Sequence, residues 1–179
     1  MAKRSIEVSS LSYFFIADKR IAWLWLVVRL YLAWEWLQAG WEKVHDPAWV
    51  GSQAGTALTG FIQGALAKTS GAHPDVQGWY AWFLTHAVAT HVLAWSYLVA
   101  YGEVLVGVAL LLGFLTGISV LFGMLMNLDY LLAGSVSLNP QMFILGVGVA
   151  LAWRVSGYIG LDRYVLPVVH NFLQPNSRT

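Results

Sequence analysis

The chain contains no cysteine, and only 11% of its 179 residues are charged. Without cysteine it can form no disulfide, CxxC redox pair, thiolate nucleophile, iron–sulfur cluster or cysteine-ligated zinc site. Any redox chemistry must therefore use a cofactor, the substrate or a partner. The ten basic and nine acidic residues form no basic stripe of the kind that binds phosphates, which argues against nucleic acid as a partner.

Hydrophobic residues make up 58% of the chain, against about 45–50% in soluble domains. They are concentrated in a few long runs and do not alternate as in core strands. A membrane-spanning helix needs roughly 20 mostly apolar residues. Four segments approach that length: 21–41, 96–112, 116–133 and 141–156. The sequence therefore predicts one all-α integral membrane domain over residues 1–179, built as a bundle of four transmembrane helices.

The connections between these helices constrain the topology. Residues 113–117 have room only for a tight hairpin, so the second and third helices are predicted to be antiparallel neighbours. The connection over about 42–94 is long and rich in tryptophan, glycine and histidine. We expect it to contain two interfacial helices and to form a lid over the outer mouth of the bundle. Before the first span, Leu11–Ala17 is predicted to lie along the membrane surface as an amphipathic segment.

Basic residues are distributed unevenly along the chain. Four of the ten precede the first predicted span and three lie at or after the end of the fourth, whereas only Lys43 and Lys68 fall in the long connection. Because basic residues collect on the cytoplasmic side, the chain is predicted to be a multi-pass protein of the cell membrane with both termini cytoplasmic.

Five ionisable residues lie within or at the ends of the predicted spans: Arg29, Glu35, Glu103, Asp129 and Arg154. Each costs about 2.5–3.5 kcal/mol to insert, so such residues normally face the bundle and have partners. A rise of about 1.5 Å per residue from the cytoplasmic ends places Arg29 and Glu103 at similar depths. We therefore predict that these two residues form an ion pair, which could also be purely structural.

Glu35 and Asp129 lie at a second level in the outer half, with Asn127 slightly deeper and Lys43 near the exit. Two carboxylates in a low-dielectric site favour keeping a proton between them, as a proton relay requires. The candidate catalytic residues are Glu35, Glu103 and Asp129. The candidate substrate-binding residues include Arg29, Lys43 and Asn127.

Histidines and tryptophans supply further candidates for substrate binding. His86 and His91 are five residues apart, about 140° around a helix, which is poor spacing for two metal ligands on one face. No metal site is predicted, but either histidine could bind a quinone or an anion. Most of the ten tryptophans are expected to be interface anchors or packing residues. Trp34 and Trp36 flank Glu35, so we keep both as candidates for lining the site.

Three segments together carry a resemblance to a known family. They are Arg29-Leu-Tyr-Leu-Ala with Gly40-Trp-Glu-Lys43, then Gly102-Glu103 through Gly113-Phe-Leu-Thr-Gly117, and finally Gly157-Tyr-Ile-Gly160-Leu-Asp162-Arg163. The pattern resembles the DoxX/DoxD family of four-helix membrane proteins over about residues 29–167.

That resemblance implies a membrane subunit linked to the respiratory quinone pool. In the best-known case it is part of a thiosulfate:quinone oxidoreductase, in which DoxD works with a second subunit, DoxA. Carried over to this sequence, the resemblance points to Arg29, Lys43 and Glu103. It also implies that Asp162 and Arg163 form a cytoplasmic structural motif.

Three function classes stay open. The leading hypothesis is an oxidoreductase subunit that passes electrons from a small anionic donor such as thiosulfate to quinone. Lys43 with His86 or His91 would bind the donor, and the candidate carboxylates would carry protons. The second is a non-catalytic anchor or organiser of a redox or detoxification complex, with homo-oligomers left open. The third, transport of a small solute, is less favoured because four helices are few for a transporter.

Overall fold

A computed structural model describes residues 10–173, and every regular element within that range is helical. The helices, in chain order, are α1 (Ser10–Ala17), α2 (Ala22–His45), α3 (Thr56–Leu66), α4 (Gly78–Phe83), α5 (Val92–Leu112), α6 (Thr116–Leu132), α7 (Asn139–Leu151), α8 (Trp153–Ser156) and α9 (Asp162–Leu173). Residues 84–91 form a π turn and a 3₁₀ turn that join α4 to α5 without a break. The predicted all-α class is confirmed for the described residues.

Local sequence explains where the long helices begin and end. α2 stops before Pro47, because the residue that precedes a proline is disfavoured in the helical conformation. α5 ends at Gly113, whose φ of 63° provides the left-handed C-terminal cap that glycine adopts at low cost. α7 has Pro140 in its first turn, where the missing N–H costs nothing.

The four predicted spans correspond to α2, α5, α6 and to α7 with α8, but their lengths differ. In the described part of the chain, only the continuous helix Gly78–Leu112, of 35 residues, is long and apolar enough to cross a membrane by length and composition. α6 and α7 are apolar but shorter. α2 has 24 residues, and its four charged residues lower its hydropathy. The predicted four-span bundle is thus confirmed only as a helical fold with one helix of membrane length.

The outward faces of these helices are nevertheless apolar. Leu98 and Leu105 of α5 are exposed, and so are Ile118 and Phe122 of the neighbouring α6. α2 likewise exposes Trp23, Val27 and Trp34. Neighbouring apolar faces of this kind are uncommon on soluble monomers and are typical of contact with a membrane or a partner.

α2 and α5 cross at close range in antiparallel orientation. A Cβ atom on Gly40 would lie 2.6 Å from the backbone nitrogen of Val104, and one on Gly107 would lie 2.8 Å from that of Leu37. The two glycines therefore let the helix backbones touch. Beside this crossing, Leu32, Trp36 and Leu110 belong to the main hydrophobic core, which α6 and α7 complete.

The two ends of the bundle are built differently. At one end, here called the terminal end, α1 packs against α8 and the chain enters α9. At the other, the loop end, α3 and α4 form a second hydrophobic core that includes Ile62, Tyr80 and Ala133, the last at the end of α6. The two helices predicted in the long connection are present, but the second runs directly into α5.

Alanine substitutions at two glycines, one inside the α2–α5 crossing and one outside it, should have opposite effects on the free energy of unfolding. Gly107→Ala should lower the free energy of unfolding by about 1–3 kcal/mol, because the added methyl group would overlap the backbone of Leu37. Gly60→Ala on α3 meets no atom within 4 Å and should raise it by about 0.5–1 kcal/mol. Denaturant unfolding in detergent micelles measures both, and equal stability of the two variants would contradict the proposed role of the crossing.

Candidate functional site

A cavity of about 470 Å³ lies in the loop-end half of the bundle, between α2, α5, α6 and the start of α7. We call it the central cavity. Its polar lining comes from Glu35, Gln38, Glu42 and Lys43 of α2, Glu103 of α5, Tyr130 of α6, Ser135 and Ser137 of the α6–α7 connection and Asn139 at the start of α7. Trp36, Trp49, Phe61 and Met142 form apolar parts of its wall.

Glu103 is the best-buried acidic group of this wall, with only 1% of its surface exposed. Lys43 Nζ lies 2.8 Å from Glu103 Oε2, and the Lys43 side chain is 19% exposed. The Tyr130 hydroxyl donates a 2.5 Å hydrogen bond to Glu103 Oε1. Oε1 therefore has a hydrogen-bond donor and Oε2 has a counter-charge at contact distance, which together stabilise the buried group. Among the described side chains, this is the only ion pair within 4 Å.

Packing around Lys43 and Tyr130 holds both groups in place. The Lys43 ammonium lies 5.3 Å from the centre of the Trp49 ring and 6.0 Å from that of Tyr130, within range of cation–π attraction. Phe61 of α3 meets the Tyr130 ring edge to face at 5.9 Å. The Ser96 hydroxyl donates a 2.7 Å hydrogen bond to the Trp49 carbonyl, which ties the turn after α2 to α5.

The charge balance of the central cavity is acidic. Its described lining contains three carboxylates, Glu35, Glu42 and Glu103, against one cation, Lys43. That cation is already paired with Glu103. A free dianion would meet net repulsion here, whereas a neutral ligand with carbonyl or hydroxyl groups would meet both donors and acceptors.

Arg29 lies elsewhere, buried at the terminal end. Its Nη1 donates to the Ser156 carbonyl at 2.9 Å and its Nη2 to the Ile159 carbonyl at 2.8 Å. A Cβ atom on either Gly113 or Gly160 would overlap the guanidinium, so both glycines are required beside it. Arg29 therefore fastens α2 to the segment between α8 and α9.

The predicted Arg29–Glu103 ion pair is therefore wrong, and the register of α2 against α5 explains why. Leu37 touches Gly107 and Gly40 touches Val104, so Arg29 lies opposite the α5–α6 turn. This places it about 18 Å along the axis from the level of Glu103. The depth count took the N-terminal end of α2 and the C-terminal end of α5 to lie at the same level. In the structure, α2 extends well past the end of α5.

Asp162 completes the polar cluster at the terminal end. Its Oδ2 accepts a 2.8 Å hydrogen bond from the backbone N–H of Thr116, at the start of α6. Its own backbone N–H donates to the Gly113 carbonyl at 2.8 Å. A carboxylate at a helix N-terminus is favourable because it satisfies a free N–H and faces the positive end of the dipole. Arg163, by contrast, is exposed.

The remaining acidic and amide candidates lie apart from the central cavity. Asp129 is exposed at the end of an apolar groove of about 590 Å³ between α5 and α6. Asn127 is buried in the bundle, and its Oδ1 has no hydrogen-bond partner. Of the three predicted catalytic carboxylates, the structure brings Glu35 and Glu103 together and leaves Asp129 outside.

The aromatic and histidine candidates are also separated. Trp36 is 4% exposed and lines the central cavity, whereas Trp34 is 64% exposed on the outer face of α2. His86 and His91 are exposed, and the Nδ1 atom of each lies within hydrogen-bond distance of the threonine hydroxyl that precedes it in the chain. Neither histidine lines the central cavity.

Sequence reasoning missed Tyr130. Tyr130 follows Gly123 and Asn127 at the i, i+4 and i+7 spacing that defines one helix face, and both of those residues are buried. This spacing could have identified Tyr130 as an inward-facing hydroxyl group beside the acidic residues. The choice of Glu103 as its partner depends on how α6 packs against α5, which the sequence of α6 alone does not contain.

The two hydrogen bonds of Arg29 predict that replacing it with lysine, which keeps the charge, lowers the stability of the fold. Arg29→Lys should lower the free energy of unfolding by about 1–3 kcal/mol, because one ammonium cannot reproduce the planar fork that reaches two carbonyls. Arg163→Lys is the matched control and should change it by less than about 0.5 kcal/mol. If both variants unfold at the same denaturant concentration, Arg29 does not fasten the terminal end.

Comparison with known proteins identifies a family. The family model described as "TQO small subunit DoxD" matches residues 24–176. No curated protein and no solved structure matches the chain. The family match begins two residues into α2 and runs past the end of α9, so it includes the crossing, the central cavity and the terminal-end cluster. Since it spans most of the sequence, the chain belongs to the DoxD family.

Proposed function

We propose that the chain is the membrane subunit of a quinone-linked oxidoreductase and that the central cavity binds the quinone headgroup. The family description, a TQO small subunit, supports the reaction class and a second subunit. The observation that carries the proposal is the buried Glu103 carboxylate held between Lys43 and Tyr130 at the wall of a cavity.

In this proposal α2, α5, α6 and the α7–α8 pair all cross the membrane, with both termini cytoplasmic. The apolar outward faces of the helices and the grouping of basic residues near the termini support this topology. The four charges of α2 are compatible with it: Arg29 is buried in the bundle, Lys43 is paired with Glu103, and Glu35 and Glu42 line the central cavity. α6 and α7 are short for a full span, so local thinning of the bilayer accompanies this arrangement.

The size and lining of the central cavity suit a quinone headgroup. Its volume of about 470 Å³ falls within the range of about 300–1,000 Å³ that is usual for small-molecule sites. Trp36, Trp49 and Phe61 offer apolar and aromatic surface to a ring. Lys43 carries N–H groups that a quinone oxygen can accept from, and the Tyr130 O–H becomes available to that oxygen once Glu103 is protonated, because the carboxylate form of Glu103 takes it.

Quinone reduction consumes two electrons and two protons, and the residues of the central cavity would handle the protons. Glu103 would take up a proton and donate it to Tyr130, so that Tyr130 can give its own hydroxyl proton to the ligand, and each quinone would receive two protons by this relay. Glu35 and Glu42 are more exposed than Glu103 and would exchange protons with solvent. The Lys43 ammonium would stabilise negative charge that develops on a ligand oxygen.

The electron donor would bind outside this cavity. Because the described lining carries three carboxylates and one paired cation, an anion such as thiosulfate fits it poorly. We propose that a DoxA-like second subunit, or its contact with this chain, receives the anionic donor, takes two electrons from it and delivers them to the quinone. Lys43 then contacts the quinone and does not bind the anionic donor, to which the sequence analysis assigned it.

Donor-dependent quinone reduction tests this proposal. With the second subunit present in nanodiscs, Glu103→Gln should lower kcat by about a hundredfold or more, the usual size of an acid–base contribution. Tyr130→Phe should also lower it, because the hydroxyl that donates to Glu103 is lost. Asp75→Asn, an exposed position in the loop before α4, is the control and should retain full activity.

A non-catalytic anchor is the second candidate, and one observation favours it. The Arg29 and Asp162 contacts tie helix ends together and face no cavity that reaches Glu103. If the chain is a non-catalytic anchor, a soluble redox enzyme should co-purify with it. The complex should then keep full quinone-reducing activity in the Glu103→Gln and Tyr130→Phe variants. That combination of results would overturn the quinone proposal.

A further inference from the structure

A second cavity, of about 400 Å³, lies at the terminal end where α1 meets α8. We call it the basic cavity. Both of its ionisable lining residues are cations, Lys19 and Arg154, and the rest of its described wall is apolar, including Ile16, Leu151 and Trp153. The proposed quinone chemistry uses none of these residues.

The cations of the basic cavity have no carboxylate partner among the described residues. Lys19 Nζ lies 4.7 Å from the centre of the Tyr158 ring, and the Arg154 guanidinium lies 5.0 Å from that of Trp153. These rings orient the two charges without neutralising them.

The surrounding charges increase the positive potential. Asp18 accepts a hydrogen bond from the backbone of Arg20 at 2.8 Å, and Asp162 is buried against Thr116. Arg20 and Arg163 are both exposed, and Arg163 lies 5.7 Å from the Tyr158 ring. The cationic groups thus outnumber the acidic ones around the basic cavity, which favours an anion.

The position of α1 is fixed, so the basic cavity is a formed site. The Trp25 indole N–H donates to the Phe15 carbonyl at 2.8 Å, which joins the end of α1 to α2. Ile21, Ala22 and Val155 form a small buried core beside it, with Tyr158 packed on its edge.

Apolar surface borders the basic cavity and identifies the class of ligand. α1, which lines the cavity through Ile16 and Ala17, also exposes Tyr13, Phe14 and Phe15. Cations beside exposed aromatic and aliphatic side chains are typical of the membrane interface, where a basic pocket meets lipid headgroups and the apolar groups meet acyl chains. A free anion would use the cations but leave this surface unused.

We propose that the basic cavity binds the phosphate of an anionic phospholipid, with Lys19 and Arg154 as its ligands. The proposal requires the membrane location argued above but not the quinone chemistry. A free phosphate-bearing anion shares the headgroup chemistry, so the test must distinguish the two sources.

The test is a lipid titration of the full chain in neutral detergent, read by native mass spectrometry. Dioleoylphosphatidylglycerol should bind about tenfold or more tightly than dioleoylphosphatidylcholine. The double variant Lys19→Gln/Arg154→Gln should weaken phosphatidylglycerol binding by about 25-fold, or fivefold per charge. Arg20→Gln removes a neighbouring charge that does not line the cavity and should weaken it by at most about twofold.

A competition experiment distinguishes a lipid headgroup from a free phosphate. Inorganic phosphate at millimolar concentration should not displace the lipid; if it does so and binds equally well, the ligand is a free phosphate and the lipid assignment is overturned.

A charge-conserving variant controls for misfolding. Arg154→Lys keeps the charge and should bind lipid nearly as well as the wild type, even if the double variant unfolds. Equal binding of both lipids, or equal losses for Arg20→Gln and Arg154→Gln, would overturn the proposal. Quinone reduction by Arg154→Gln in nanodiscs should stay unchanged, so the two proposals fail independently.

Discussion

The crossing of α2 and α5 at Gly40 and Gly107 is the contact on which the candidate site depends. Because the backbones touch there, the register of the two antiparallel helices is fixed, and Lys43 comes within 2.8 Å of Glu103. A wider crossing would leave the Glu103 carboxylate buried without a counter-charge, which is among the costlier faults in a protein interior. The glycines thus determine the geometry of the chemical groups while contributing no functional atom.

The interior contains two polar layers, of which one supports the fold and the other lines the candidate site. At the terminal end, the side chains of Arg29 and Asp162 are hydrogen-bonded to backbone groups of neighbouring turns and so link α2 and α6 to the segment around the start of α9. In the loop-end half, Glu103 is partnered by two side chains that also face a cavity. A backbone partner is difficult to displace, whereas a side-chain partner can rearrange around a ligand and exchange a proton.

The long apolar runs located α2, α5, α6 and α7 in the sequence, although α2 extends to His45 and α5 begins at Val92. The sequence also selected Glu35 and Glu103 as charges within apolar runs, and Lys43 as one of the two basic residues of the long connection. It could not choose the partner of Glu103. Arg29 and Glu103 have equal depth only if the N-terminal end of α2 and the C-terminal end of α5 lie at the same level. The actual offset between these ends follows from the contacts of Gly40 and Gly107, which the pattern of a single helix does not contain. Tyr130 was missed because its role depends on α6 packing beside α5.

The central claim is that the quinone headgroup binds in the central cavity beside Glu103. Photolabelling with a quinone analogue that carries a photoreactive group on its ring, followed by peptide mapping, tests it most directly. The account predicts labels within residues 35–43 or at Tyr130, suppressed by excess unmodified quinone. Labels concentrated in the α5–α6 groove beside Asp129, or labelling that excess quinone does not suppress, would contradict it.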